Sequence, residues 1–196
     1  MTVMATSPGF AGIAADRPFT VRDLEAITDE THRYELVDGV LVVSPAPGWP
    51  HQEGLGELFV QLRTACPRGL RVLAAPFAVR LDQVNELQPD VIVTRYADLT
   101  EANLPVAPLL AVEFLSRSSR LYDLGTKKAV YERMRVPSYW VVDPAGEGRL
   151  QVFELDADGR YAEVAHVRGD EAFPAERPFP VTVVPARLFD GLRPDA

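Results

Sequence analysis

Glu113 is a carboxylate in the wrong surroundings. It interrupts the run Leu109-Leu110-Ala111-Val112-Glu113-Phe114-Leu115, which otherwise reads as a buried strand. A lone buried carboxylate costs several kcal/mol unless it is paired, protonated or bound to a metal. Asp90 has the same character, because Gln88-Pro89-Asp90 opens directly onto Val91-Ile92-Val93. Glu35 precedes Leu36-Val37, and Lys127-Lys128 follow Glu113 on a helical pattern. Each has an ordinary explanation: a strand-end ion pair, Pro-Asp turn chemistry, an exposed strand position, a solvated helix face. Together they have the types that metal-assisted phosphodiester cleavage requires. Carboxylate oxygens hold Mg²⁺ or Mn²⁺. Such an ion stabilises charge on a scissile phosphate and acidifies the attacking water. A lysine beside that water can position it and offset anionic charge.

Other chemistries find little support. His32, His51 and His166 are scattered, and Cys66 is the one cysteine, so neither a zinc ribbon nor a disulfide framework is expected. No Gly-x-Ser-x-Gly elbow, His-Glu-x-x-His, phosphate loop or dinucleotide-binding glycine pattern occurs. The 196 residues carry a net charge of −8, which disfavours binding to nucleic acid by overall charge. No apolar run is long enough to cross a membrane, and the first basic residue is Arg17. The expectation is a cytoplasmic protein without a secretory signal or membrane partner.

The elements that must position these residues can be read from the pattern. Residues 1–18 read as a flexible arm, and residues 19–196 as one α/β domain. Thr20 and Asp23 fit a capping box for a helix over 20–28. Asp38-Gly39 between β-branched runs predicts a hairpin over 33–44, with Glu35 on its first strand. Leu55, Leu58, Phe59 and Leu62 predict a helix from His51 that stops by Cys66. Strands are expected at 71–75, 77–82, 90–94, 109–115, 139–142 and 181–184, with a helix at 123–135. A second hairpin over 149–167 turns at Asp158-Gly159. Val40 to Val43 are consecutively apolar, which predicts a strand covered on both faces.

An ordered set of motifs then acquires meaning. These are Pro89-Asp90, Val112-Glu113-Phe114-Leu115-Ser116, Tyr122-Asp123-x-Gly125-x-Lys127, Tyr131, and Val136-Pro137-Ser138-Tyr139-Trp140-Val141-Val142-Asp143-Pro144. With Tyr34-Glu35-Leu36-Val37-Asp38-Gly39, Ser44-Pro45 and His51-Gln52, the chain over roughly 20–185 resembles the Uma-two family of "putative restriction endonucleases". The resemblance implies the PD-(D/E)XK nuclease superfamily: a restriction-endonuclease-like mixed β-sheet core flanked by helices, here with added β-hairpins. It implies that Asp90 and Glu113 bind the metal, that Glu35 is the additional acidic residue, and that Lys127 is the catalytic lysine. It also implies that His51 and Gln52 line the site. The superfamily's usual lysine position, two residues after the acidic one, is Leu115 here. The resemblance implies that its function has moved to Lys127, which Asp123, one helical turn earlier, could orient.

The segment 117–135 sets six basic residues against two acidic ones. Arg117, Arg120 and Lys128 are the expected phosphate contacts within it. The leading expectation is a metal-dependent endonuclease acting on DNA, as a homodimer, because two sites serve two strands. The alternatives are a catalytically inactive nucleic-acid-binding or interaction protein on the same fold, and a hydrolase of a small phosphate ester.

Overall fold

The computed structural model describes residues 17–29, 31–116 and 120–192. The expected arm falls almost wholly outside them. Thr20 caps a short helix α1 (Val21–Glu25), with Asp23 accepting from the Thr20 N–H at 2.8 Å. Strands β1 (Arg33–Val37) and β2 (Val40–Ser44) form the expected hairpin. Its turn places Asp38 and Gly39 at φ 50° and 74°, the left-handed pair that such turns need. Helix α2 spans Trp49–Ala65 and ends before Pro67.

The remaining strands are β3 (Leu70–Ala74), β4 (Ala78–Arg80), β5 (Glu86–Leu87), β6 (Val91–Arg95), β7 (Asn103–Leu104) and β8 (Leu110–Phe114). A helical segment follows, and then β9 (Ser138–Asp143), β10 (Arg149–Leu155), β11 (Tyr161–Arg168), β12 (Phe173–Ala175) and β13 (Val181–Val183). The main sheet has six strands in the order β11-β10-β9-β8-β6-β3, mixed because β8 and β9 run parallel. A five-stranded sheet, β2-β1-β5-β4-β7, forms a second layer, and β12–β13 is a separate ribbon.

The central strands of the main sheet are buried on both faces, which is why they read as nearly unbroken apolar runs. One face carries Val93, Val112, Phe114, Trp140 and Val152 against Leu55, Leu58 and Leu62 of α2. A 3-10 helix over Pro185–Leu192 adds Leu188 and Phe189 to that layer. The opposite face carries Ala111, Tyr139, Val141 and Phe153 against Val130 and Tyr131, with Val37 and Leu87 from the smaller sheet. Glu113 shares the parity of Ala111, so strand periodicity alone aims it at this second layer.

The helical segment differs from the expected single helix over 123–135. Tyr122–Lys127 is a π-helix, and α3 (Lys128–Arg133) continues from it. Strand β2 also departs from expectation. It is an edge strand, exposed at Val40 and half-buried from Leu41 to Ser44, so the described residues do not cover both its faces. Consecutive apolar residues here belong to a hairpin strand with one neighbour, β1.

Close packing fixes α2 at Gly54. A Cβ there would lie 2.3 Å from Phe189 Cε1 and 2.9 Å from Phe114 Cε1. Gly54→Ala is therefore expected to destabilise the protein by about 1–3 kcal/mol, despite alanine's better helix propensity. Gly56→Ala, with nothing within 4 Å, should stabilise by about 0.5–1 kcal/mol. Urea unfolding of the two variants checks both signs.

Candidate active site

Four elements converge on the second face of the main sheet. Val91 pairs with Val112 in the antiparallel β6–β8 register, so Asp90, one residue earlier, comes opposite Glu113. The Phe114 N–H donates to Asp90 Oδ2 at 2.7 Å and fixes that carboxylate against β8. Glu35, at the middle of β1, accepts from the Gln88 N–H at 2.8 Å, which ties the smaller sheet to the segment leading into Asp90. Lys127 arrives from the helical segment. Its Nζ lies 2.9 Å from Glu35 Oε2, 3.0 Å from Glu113 Oε1 and 3.9 Å from Asp123 Oδ1. The widened π turn ends at Lys127, and one α-turn later Tyr131 donates its hydroxyl to the same Glu113 Oε1 at 2.8 Å. The Tyr139 hydroxyl meets the Asp123 carbonyl at 3.1 Å and helps satisfy backbone in that irregular segment.

The groups are deeply buried: Glu35 is 2% exposed, and Asp90, Glu113 and Lys127 are each 3% exposed. Burial pushes the Glu113 carboxyl up to about 8; Lys127 opposes this, while Asp90, Asp123 and Glu35 add to it. Asp90 goes the other way. Burial works against its ionisation, but the His51 hydrogen bond, the Arg33 charge and the Phe114 N–H outweigh it and bring the group down to about 2. Burial also works against the Lys127 charge, yet Glu113, Glu35 and Asp123 hold the ammonium well above its ordinary value.

Two further groups complete the cluster. Arg33 Nη1 donates to Asp90 Oδ1 at 3.0 Å, and Nη2 stands 3.6 Å from Glu35 Oε1. His51, in the first turn of α2, has Nε2 3.2 Å from Asp90 Oδ2. Arg33, His51, Gln52 and Asp90 line a cleft of about 480 Å³ that opens beside the cluster. The expected residues Glu35, Asp90, Glu113, Lys127 and His51 are thus brought together, with Gln52 on the cleft wall.

The expected phosphate contacts are placed differently. Lys128 directs its amine over the Phe153 ring, 3.8 Å from the centroid. Arg120 pairs with Asp143. Arg117 lies outside the described residues. Arg133 pairs with Asp38 and Arg135 reaches the Asp158 carbonyl, so the basic residues of this segment face several directions. Arg33 escaped the sequence reading, although its period-two relation to Glu35 could have placed the two on one strand face. Tyr131 reads as a core residue from its helical spacing; it is buried there and also meets Glu113.

Residues 21–187 match the Uma2 family, "Putative restriction endonuclease". The chain belongs to this family. Among solved structures it is similar to a "putative nuclease belonging to DUF820 from Anabaena variabilis ATCC 29413". That likeness has a TM-score of 0.65 at 14% identity and covers 81% of this chain and 89% of that one. No curated protein is significantly similar to the chain. The fold of this family member is restriction-endonuclease-like: mixed sheets flanked by a few helices. No helix among the described residues is long and apolar enough to cross a membrane.

Proposed function

We propose that the protein is a metal-dependent endonuclease that hydrolyses phosphodiester bonds in DNA, with Glu35, Asp90, Glu113 and Lys127 as its catalytic groups. The observation that carries this reading is Lys127, a fully buried ammonium brought from a helix to within 3.0 Å of both Glu35 and Glu113.

The donor set fits a hard divalent cation such as Mg²⁺ or Mn²⁺. Asp90 and Glu113 offer carboxylate oxygens on one sheet face, and the hydrogen bonds that Glu113 accepts among the described residues fall on Oε1. Among the described residues no three His, Cys, Asp or Glu side chains group as a metal site, so the protein would supply two carboxylates. Mg²⁺ commonly takes one or two carboxylates and keeps several waters. A bound ion there would supply charge stabilisation on the phosphate and a more acidic water.

The chain's own residues do the remaining work. Glu35 and Glu113 hold the Lys127 ammonium in a single position, where it can orient a water and offset developing negative charge. Tyr131 and the Phe114 N–H fix the rotamers of Glu113 and Asp90. The buried surroundings strengthen each of these interactions relative to water. The same reading takes the protein as a cytoplasmic homodimer, with the β2 edge, unpaired among the described residues, as one surface available to a second copy.

The second reading, a nucleic-acid-binding or interaction protein without catalysis, has one observation in its favour. Asp90 and Glu113 already face cations, Arg33 and Lys127. Incubation of the protein with end-labelled duplex and single-stranded DNA, in Mg²⁺, Mn²⁺ or EDTA, separates the two. The nuclease reading expects ion-dependent fragments that EDTA abolishes. Binding without cleavage under every ion condition supports the second reading.

A further inference from the structure

We propose that the cleft beside Asp90 is a subsite for one unpaired nucleotide, so that the substrate strand reaches the carboxylates as single-stranded or locally unpaired nucleic acid. This rests on the nuclease reading and narrows its substrate. The four catalytic groups are 2–3% exposed, and Asp90 alone among them lines the cleft. The backbone of an intact duplex lies on the convex surface of a stiff rod, with a persistence length of about 50 nm. Its phosphates meet the mouth of a recess of about 480 Å³ more readily than the inner wall. A single extruded nucleotide can reach that wall, as in enzymes that work on unstacked bases.

The lining suits that occupant. Leu24, Ile27, Pro47 and Leu55 offer apolar surface for the faces of a base. Gln52 and Gln88 bring amides, which can both donate to and accept from a base edge. Two acidic residues on the wall are already engaged: Glu86 by Arg80, and Asp29 by Thr31, His32 and Tyr34. Arg80 thus offsets the Glu86 charge, and Asp29 has its oxygens occupied by the neighbouring donors.

Two residues of the cleft wall carry buried polar atoms without a hydrogen-bond partner. Arg33 Nε and Nη2 are buried without a hydrogen-bond partner, although the same guanidinium ties Asp90 through Nη1. His51 Nδ1 also lacks a partner; with Nε2 donating to Asp90, Nδ1 of the neutral ring is an acceptor. Buried unmet donors are costly and rare, and a ligand is one of their standard explanations. A guanidinium with spare N–H groups next to a catalytic carboxylate is suited to a phosphate oxygen. Arg33 would then be the residue that seats the phosphate, and the cleft wall would seat its base.

Fluorescence anisotropy in Ca²⁺ buffer tests this. The probes are one labelled 12-mer as a single strand, as a blunt duplex, and as a duplex with a central unpaired base. The single strand and the mispaired duplex should bind at least tenfold more tightly than the blunt duplex. Arg33→Lys, which keeps a cation for Asp90 but loses the guanidinium fork, should abolish that preference. Its unfolding midpoint and its calorimetric Ca²⁺ affinity should stay near wild type. Equal binding of all three probes, or an unchanged preference in Arg33→Lys, overturns the subsite and leaves the nuclease reading standing. Failure of the wild type to bind any probe overturns both.

Discussion

Lys127→Ala is expected to lower the single-turnover cleavage rate by on the order of a hundredfold or more, far beyond the effect of Lys128→Ala. The two lysines are neighbours in sequence but face different surroundings. Lys127 Nζ sits between Glu35 and Glu113, whereas Lys128 caps the Phe153 ring. Removing Lys127 also strands two buried carboxylates, so a stability loss of about 3–5 kcal/mol should accompany the lost rate. Loss of the Lys128 cation–π contact should cost about 0.5–1 kcal/mol. Lys127→Gln keeps a hydrogen-bond donor without the charge and should fold better than the alanine variant while remaining as slow. Rates and urea midpoints measured on all three variants check this. Equal rates for Lys127→Ala and Lys128→Ala would contradict the role assigned to Lys127.

Glu113→Gln is expected to remove a pH dependence of stability as well as activity. Burial raises the folded-state Glu113 pKa from 4.5 to about 8. The folded protein therefore keeps a proton that the unfolded chain releases. The stability this contributes is fully present below about pH 4.5 and is lost as pH rises towards about 8, by at most about 1.4 kcal/mol per pH unit. Gln resembles the protonated form and cannot release that proton, so the variant should lack this slope. Asp90 runs the opposite way. Its pKa falls from 3.8 to about 2, so its contribution is present above pH 3.8 and is lost as pH drops towards 2. Urea unfolding in EDTA across pH 4–9 reads the Glu113 slope directly. Cleavage by Glu113→Gln should fall by more than about a hundredfold, since even the outer partners of metal ligands are commonly worth 10–100-fold. Parallel stability curves for the two proteins would place the raised titration elsewhere.

The sequence made the carboxylates visible for a physical reason. Glu113 and Asp90 interrupt or open strands whose other residues are apolar, and a charge in that setting demands a partner. The Asp38-Gly39 turn was equally legible, because few dipeptides accept two left-handed residues in succession. The partners were harder to see. Arg33 is separated from Asp90 by 57 residues, and only the pairing of β1 with the segment before β6 brings them together. The π-helix over Tyr122–Lys127 has no signature in a hydrophobic period, so the sequence suggested an ordinary helix. The two-residue strands β5 and β7 exist through pairing with β4 rather than through propensity. The basic surplus over 117–135 was real as composition. It did not fix direction, because Asp143, Asp38 and Phe153 each draw one of its cations away from the cleft.

The central claim is that Asp90 and Glu113 hold the divalent ion of a nuclease site served by Lys127. Anomalous diffraction from crystals equilibrated with Mn²⁺ tests it most directly. The account predicts an anomalous peak bonded to carboxylate oxygens of both Asp90 and Glu113, at about 2.0–2.6 Å, with Lys127 Nζ close by. The peak should be absent from Asp90→Asn crystals treated identically. A preparation that cleaves DNA in Mn²⁺ yet shows no density between Asp90 and Glu113, or shows its only peak on other residues, would contradict it.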